Sequence, residues 1–222
     1  MQKTRKSEER DEHIRSMLTT ADCLALLREH HLPEMLLRHI RKVDGICMYL
    51  TAKLIEQGIA VDADLLHAAA LLHDIKKMEQ VQGKNEGHEE AGERYLTHLG
   101  YPVIGELIRA HQITAIFQMM QEASPEQQSQ QQNNQQQKDD AHAWEKKLIY
   151  YADKRVKHDA VVSIDERLDD AIQRYPQEQH LIEGIRVPLK ALEKEIFKNT
   201  GLSSVEEADI VPYLIEETLI AV

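Results

Sequence analysis

A histidine and an aspartate stand side by side, as His73 and Asp74, in the apolar segment LLHAAALLHDIKKM. A carboxylate in apolar surroundings needs a partner that offsets its lost hydration, and a bound cation is one such partner. Neighbouring residues of a helix point about 100° apart, so the two side chains cannot both face a one-sided core. A metal cluster beside the segment would use both, which makes this pair the first candidate for metal chemistry.

Further donors occur elsewhere in the chain, each on its own predicted helix: they are His39, His88, His111 and Asp153. Helical bundles build metal sites from side chains that converge from separate helices. With His73 and Asp74 the set has four imidazoles and two carboxylates, too many for one tetrahedral zinc ion. It suits two divalent ions, with Asp74 able to bridge them through its two oxygens. Nitrogen and oxygen donors favour iron or manganese, or alternatively cobalt, nickel or zinc, over calcium.

Three basic residues near these donors could contact an anionic substrate. Lys77 follows Asp74 by three residues, which places it on a nearby helical face, where its ammonium could neutralise phosphate charge. We therefore predict Asp74 and Lys77 as catalytic residues, with Lys77 also binding the substrate. Arg155 and Lys157 follow Asp153 closely and are weaker predictions for substrate binding, because charged residues on a helix are usually solvated.

The composition favours helices as the elements that position these residues. Hydrophobic residues make up 42% of the 222 residues, whereas there are only 9 glycines and 6 prolines, a balance that disfavours a turn-rich β architecture. From Leu36 to Leu54 the apolar positions advance by 4, 3, 4, 3 and 4, which predicts one face of a helix that ends at Gly58. The segment around His73 predicts a central buried helix. We see no convincing set of strands and predict an all-α fold.

Three further helices are predicted on either side of a polar insertion. They cover the stretch from His88 to the break at residues 99–102, residues 103–120, and residues 144–156. The insertion, residues 121–140, is rich in glutamine and holds no large apolar residue, so burial cannot offset its ordering entropy. We expect this insertion to be flexible.

Helices are also predicted in the C-terminal part of the chain. The sequence SIDE at residues 163–166 is a capping-box pattern, and a helix that starts there must stop before Pro176. Pro188 predicts a helix start or kink, and Gly201 predicts a stop.

Charge and cysteine content limit the classes of partner and compartment. With 27 Lys and Arg against 38 Asp and Glu, the formal charge is −11, which argues against duplex nucleic acid as the main partner. Cys23 and Cys47 lack CxxC spacing and are predicted to be buried free thiols. No apolar run approaches the roughly 18 residues of a membrane span, and the charged start lacks the apolar region of a secretory signal. We expect a soluble cytoplasmic protein without a membrane partner, and homo-oligomer formation stays open.

Five runs of the sequence, taken in order, resemble the HD superfamily in its HDIG-like form with six metal ligands: LLRHIRKVDGICMYLTAKL, AAALLHDIKK, GHEEAGERYL, IRAHQ and LIYYADKRV. The resemblance covers about residues 24–169. It implies a helical bundle around a mononuclear or binuclear metal centre. By position it makes the six donors named above the metal ligands, and Lys77 the lysine that often follows the motif. Lys76 stands where the family usually has glycine, which affects the local substrate contact.

The sequence and the resemblance together predict how the chain is divided. We expect a charged N-terminal extension over residues 1–20 and an HD domain over residues 21–175 that contains the insertion. Residues 176–222 would form a C-terminal helical extension packed on that domain.

The activity that the resemblance implies is hydrolysis of a phosphate ester or anhydride by a metal-activated hydroxide. The expected partner is a small phosphate compound of the nucleotide class. Dinucleoside polyphosphates, cyclic dinucleotides and nucleoside monophosphates all stay open, although a GYP motif is absent and Gln112 follows His111, which disfavours the HD-GYP enzymes. A diiron oxygenase with the same six ligands and a non-catalytic regulatory module are the alternatives. Retention of every ligand position argues against the non-catalytic regulatory module.

Overall fold

Helices make up almost all of the regular structure in the computed structural model, which describes residues 18–81, 83, 87–122 and 141–204. The helices are α1 (Thr20–Glu29), α2 (Glu34–Glu56), α3 (Ala63–Leu72), α4 (Lys77–Val81), α5 (His88–His98), α6 (Pro102–Arg109), α7 (Ala115–Glu122), α8 (Ala143–Asp153), α9 (Ile164–Arg174), α10 (Gln179–Gly184) and α11 (Arg186–Thr200), with a 3-10 turn at Pro176–Glu178. The all-α prediction is confirmed. The predicted glutamine-rich insertion lies outside the described residues from residue 123 onward.

One small hairpin interrupts the helices. Strands β1 (Val156–Lys157) and β2 (Ala160–Val161) pair antiparallel, with Val156 opposite Val161 and Lys157 opposite Ala160. The helix predicted over residues 144–156 therefore ends earlier, at Asp153. Between the strands His158 adopts a left-handed conformation with φ of 57°, which is uncommon for a residue with a Cβ atom.

Helix α3 is the centre of the bundle and packs against α1, α2, α6 and α8. Every residue from Leu65 to Leu72 except His67 is buried, as the apolar segment predicted. The side chain of Asp62 caps the helix by accepting a hydrogen bond from the amide of Leu65 at 3.0 Å. The carboxylate of Glu145 accepts from the Asp62 amide, which ties the start of α8 to the start of α3.

Helices α5 and α6 approach each other closely at two glycines. A Cβ atom on Gly105 would lie only 2.8 Å from the carbonyl oxygen of Glu93, and one on Gly92 would lie 3.2 Å from a methyl carbon of Ile108. Real Cβ atoms essentially never approach other atoms to less than 3.0 Å. The missing side chain of Gly105 therefore lets the two backbones pack at this distance.

Two segments predicted as continuous helix contain turns instead. Helix α3 ends at Leu72, so His73 and Asp74 lie in the turn before α4, and the helix predicted over residues 103–120 is broken at 110–114. In each turn a histidine ring bonds the carbonyl three residues earlier: His73 Nδ1 to Ala70 and His111 Nδ1 to Ile108. A continuing helix would use these carbonyls for the amides of residues 74 and 112. The rings bond these carbonyls where each helix stops, and the Ile108 carbonyl also accepts from the His111 amide at 3.2 Å.

Helix α11 connects the C-terminal helices to the first part of the bundle. Ser163 caps α9 by accepting from the Glu166 amide at 3.1 Å, and α9 ends at Arg174, as predicted before the proline. Helix α11 has Pro188 in its first turn, stops at Gly201 with φ of 72°, and contacts α2, α7 and α8. Among the residues described, no helix combines the length and apolar character that a membrane crossing requires.

Candidate metal centre

The structure brings the six predicted donors together inside the bundle, and all six are buried. They come from five places in the chain: α2 (His39), the turn after α3 (His73 and Asp74), the first residue of α5 (His88), the turn after α6 (His111) and the last residue of α8 (Asp153). Packing of α3 against α2, α6 and α8 is what makes these positions converge.

The donors form two groups that share Asp74. Donor atoms within 4.8 Å of one another come from His39, His73 and Asp74 in one group, and from Asp74, His88 and His111 in the other. We name these the first and the second donor group. Asp153 adjoins the first group, because its Oδ1 lies 3.2 Å from Nε2 of His39.

The two oxygens of Asp74 face different groups. Oδ2 lies 3.7 Å from Nε2 of His73 and 3.9 Å from Nε2 of His39. Oδ1 lies 2.9 Å from Nε2 of His88 and 3.8 Å from Nε2 of His111. A carboxylate placed in this way could contribute one oxygen to each of two cations.

Backbone carbonyls set the protonation of three of the rings. Nδ1 of His73 lies 2.8 Å from the Ala70 oxygen, Nδ1 of His111 bonds the Ile108 oxygen, and Nδ1 of His39 lies 3.1 Å from the His158 oxygen. Because a carbonyl can only accept a hydrogen bond, each Nδ1 must carry the proton. In the neutral form of each ring the lone pair is then on Nε2, which faces the donor groups.

One ring nitrogen indicates that a cation fits here. Nε2 of His73 is fully buried and has no hydrogen-bond partner within the described part of the chain. Leaving a buried polar atom unsatisfied costs about 1–3 kcal/mol. The atom lies near the carboxylates of Asp74 and Asp153, at 3.7 and 3.9 Å. An unpaired imidazole nitrogen close to two carboxylate oxygens is a suitable environment for a cation.

The pKa directions place the donors in their metal-binding protonation states. Burial is the largest single influence and opposes ionisation of Asp74 and Asp153. Lys77 and the nearby histidines together outweigh it at Asp74, Lys154 and the nearby histidines do so at Asp153, and both pKa values lie well below the usual range. Burial lowers the pKa of His73, and it lowers the pKa of His111 further still. Near neutral pH the two carboxylates are therefore ionised and these two imidazoles are neutral.

Of the predicted substrate-binding residues, only Lys77 lies at the donor groups. Its ammonium is 3.8 Å from Asp74 Oδ1 and 3.2 Å from His88 Nε2, and the side chain is 32% exposed. Arg155 is buried and donates to Tyr151 and to Glu193 of α11.

Lys157 likewise contacts acids away from the donor groups. It pairs with Glu166 at 3.4 Å and with Asp170 at 3.7 Å, both on α9. The structure therefore does not bring Arg155 and Lys157 to the donors, and their described contacts give no support to a role in substrate binding.

Sequence reasoning missed two features of the site. Lys154 donates to Asp153 Oδ2 at 2.6 Å and to the carbonyl of His111 at 3.0 Å, so it ties the end of α8 to the turn after α6. Its adjacency to Asp153 was the available signal. The carbonyl of His158, which fixes the His39 ring, had no sequence signal, because it depends on the left-handed turn.

Lys76 occupies the position where a glycine was expected. Its ammonium lies 4.1 Å from the centre of the Tyr95 ring and 2.9 Å from Glu79. These contacts take the side chain to α5 and α4, and the ligand positions beside it are retained.

The fold and the donor geometry agree with a comparison against known families. The sequence model of the HD domain family matches residues 36–155, which is more than half of the chain and includes all six donors. Searches of curated proteins and of solved structures find no match to this chain. The chain belongs to the HD domain family, a superfamily of metal-dependent phosphohydrolases.

Proposed function

We propose that this protein hydrolyses a phosphate ester or anhydride of a small molecule, with nucleotides as the substrate class. The proposal includes two divalent transition-metal ions, iron or manganese, or alternatively cobalt, nickel or zinc. The observation that carries it is the position of Asp74, whose two oxygens face two separate donor groups while the ammonium of Lys77 lies 3.8 Å away. A pair of cations beside this partly exposed ammonium suits a phosphate group.

The donors divide between the two ions by proximity. His39, His73 and Asp153 would hold one ion, His88 and His111 the other, and Asp74 would contact both. When bound, such ions lower the pKa of water and polarise phosphoryl oxygens. The chain positions the ligand atoms for these ions, because backbone carbonyls hold a proton on Nδ1 of His39, His73 and His111. Nε2 of each neutral ring is then available to bind a metal.

We assign substrate binding to Lys77. Lys154 is held by its 2.6 Å contact with Asp153, whereas the Lys77 side chain is 32% exposed and makes a looser 3.8 Å contact with Asp74. An ammonium with three donors can bind the oxygens of a phosphate group that lies against the ions. In a chain with a formal charge of −11, a local positive charge of this kind is what an anionic substrate requires.

The test is a screen of the purified protein, loaded with manganese or iron, against phosphate esters and nucleotides, with release of phosphate or of the nucleotide product as the readout. Lys77→Gln should raise KM by about tenfold or more, because a hydrogen bond to a charged group contributes roughly 1.5–3 kcal/mol. Lys76→Gln is the matched control: it removes the same charge one residue away, from a side chain that rests on Tyr95. Equal effects of the two variants would contradict the assignment of Lys77.

The same preparation separates the alternatives. Oxygen consumption by the iron-loaded protein, without phosphate release, would identify the diiron oxygenase instead. A protein that binds metal but turns over no compound of either class would be the regulatory module.

A further inference from the structure

The outer nitrogen of His88 has a different type of partner from those of the other three histidine donors. Nδ1 of His39, His73 and His111 contacts backbone carbonyls. Nδ1 of His88 lies 3.2 Å from Oε2 of Glu89, a side-chain carboxylate that is 15% exposed. The Lys77 ammonium is 3.4 Å from the same nitrogen, but an ammonium cannot accept a hydrogen bond, so of these two groups only Glu89 can accept the Nδ1 proton. Among the contacts of the four rings within the described residues, only that of His88 has a carboxylate beside its Nδ1, whereas the His39 ring contacts Asp153 through Nε2.

The residue before His88 leaves room for this carboxylate. A Cβ atom on Gly87 would lie 3.1 Å from Oε2 of Glu89, a tighter contact than nine in ten real Cβ atoms make. The absence of a Cβ atom at Gly87 therefore leaves space for the Glu89 carboxylate at the start of α5.

A simpler role for Glu89 is to stabilise the start of α5, where the helix dipole favours negative charge. Glu90 lies in the same first turn, but its carboxylate pairs with Arg109 at 2.8 Å. Glu89 and Glu90 can both stabilise the helix dipole at the start of α5, whereas only Glu89 contacts Nδ1 of His88. This difference makes Glu90 a matched control.

The charges of the two donor groups suggest why His88 would need such a partner. The first donor group has the carboxylate of Asp153 beside it in addition to Asp74, whereas the second has Asp74 alone. The ammonium of Lys77 also lies 3.2 Å from Nε2 of His88, and its charge opposes a cation there. A carboxylate behind the ring offsets that charge and makes Nε2 a better ligand.

We propose that Glu89 is a positioning residue for the second donor group: it holds the proton on Nδ1 of His88, directs Nε2 toward Asp74 and His111, and strengthens binding of the second ion. The inference rests on the proposed two-ion centre. In this proposal Glu89, which is not itself a metal ligand, controls how fully the second metal site is occupied.

The test is a titration of the metal-free full chain with Co²⁺, followed by visible absorption and calorimetry, which need no substrate. The wild type should bind two equivalents, and His88→Ala should lose the second. Glu89→Ala should weaken the second equivalent by about 10- to 100-fold, as loss of an outer-shell partner does. Glu89→Gln keeps an acceptor for the Nδ1 proton and should lose less affinity. The first equivalent should bind within about twofold of the wild type in both variants.

The control and a measurement of folding complete the test. Glu90→Ala should leave both equivalents unchanged, and metal-free Glu89→Ala should melt as Glu90→Ala does. Second-equivalent affinity in Glu89→Ala equal to that of the wild type would overturn the proposal, and so would equal loss at both equivalents. If the wild type binds only one equivalent, the two-ion centre fails together with this inference; if only the Glu89 variants match the wild type, the inference fails alone.

Discussion

Replacing Gly105 with alanine should separate two helices that carry metal donors. The new Cβ atom would lie 2.8 Å from the carbonyl oxygen of Glu93, whereas ordinary van der Waals contacts begin at 3.4 Å. Helices α5 and α6 must therefore move apart by about 0.6 Å. A backbone oxygen cannot rotate away, which places the cost near the upper end of the overpacking range, about 3 kcal/mol. Alanine recovers about 1 kcal/mol of helix propensity. We therefore expect a net loss of about 2 kcal/mol in the free energy of unfolding.

Gly92→Ala is the matched control in the same helix pair. Its Cβ atom would meet a methyl carbon of Ile108 at 3.2 Å, and a side-chain methyl can shift. An overpacking cost of about 1 kcal/mol and a similar gain in helix propensity should nearly cancel. Urea unfolding of the metal-free proteins measures both values, and the melting temperature of Gly105→Ala should fall by about 4–8 °C relative to Gly92→Ala.

The displacement should also reach the metal centre. His88 begins α5 and His111 follows α6, and their Nε2 atoms lie only 3.1 Å apart. Because functional constellations must be held to about 0.5 Å, Gly105→Ala should weaken binding of the second metal equivalent. A Gly105→Ala protein as stable as Gly92→Ala would refute the reasoning about the close helix contact.

Three further predictions concern the metal centre and a buried ion pair. Asp74→Asn removes the shared charge and should lower phosphate release by more than the roughly 100-fold that loss of an outer-shell partner costs; a folded variant that keeps a tenth of the activity would exclude Asp74 from the centre. Removal of metal by a chelator should lower the melting temperature, and Mn²⁺ at 100 times its Kd should raise the free energy of unfolding by about 2.7 kcal/mol. The His73→Ala variant should be stabilised less by Mn²⁺. A melting curve that Mn²⁺ leaves unchanged would contradict metal binding. Burial opposes protonation of His67, but the hydrogen bond and charge of Asp44 outweigh it and raise the His67 pKa above 6.5. The stability that this pair contributes is complete below pH 6.5 and is lost as the pH rises through the raised pKa of His67. The difference in unfolding free energy between the wild type and His67→Gln should therefore shrink over that pH range. A difference that stays constant with pH would contradict a stabilising pair of His67 and Asp44.

Much of the fold, and the candidate donors that the fold brings together, could be predicted from the sequence because they depend on residue type and helical spacing. The apolar segment before His73 predicted the buried helix α3, and the spacing of apolar residues by three and four from Leu36 predicted α2. The prediction of buried free thiols at Cys23 and Cys47 is confirmed. That the six donors are the metal ligands stays a prediction, for which their convergence provides geometric support.

The features that could not be predicted depend on local turns and on side-chain direction. Periodicity continues through residues 103–120, but the bond from the His111 ring to Ile108 falls where α6 stops. Spacing suggested Arg155 as a substrate contact, yet the chain leaves α8 at Lys154, and Arg155 points to Tyr151 and Glu193. Such outcomes depend on tertiary contacts, which a helical pattern does not encode.

The hairpin at His158 has a consequence for the order in which the centre is completed during synthesis. His39 leaves the ribosome 114 residues before Asp153, which lies 3.2 Å from its Nε2, and 119 residues before the carbonyl that fixes its Nδ1. Until the chain beyond residue 158 has emerged, the earlier part has neither contact. An ion held by His39 and Asp153 together would therefore bind only after the chain has folded through α8, and the His39 ring would be fixed only once the hairpin has formed.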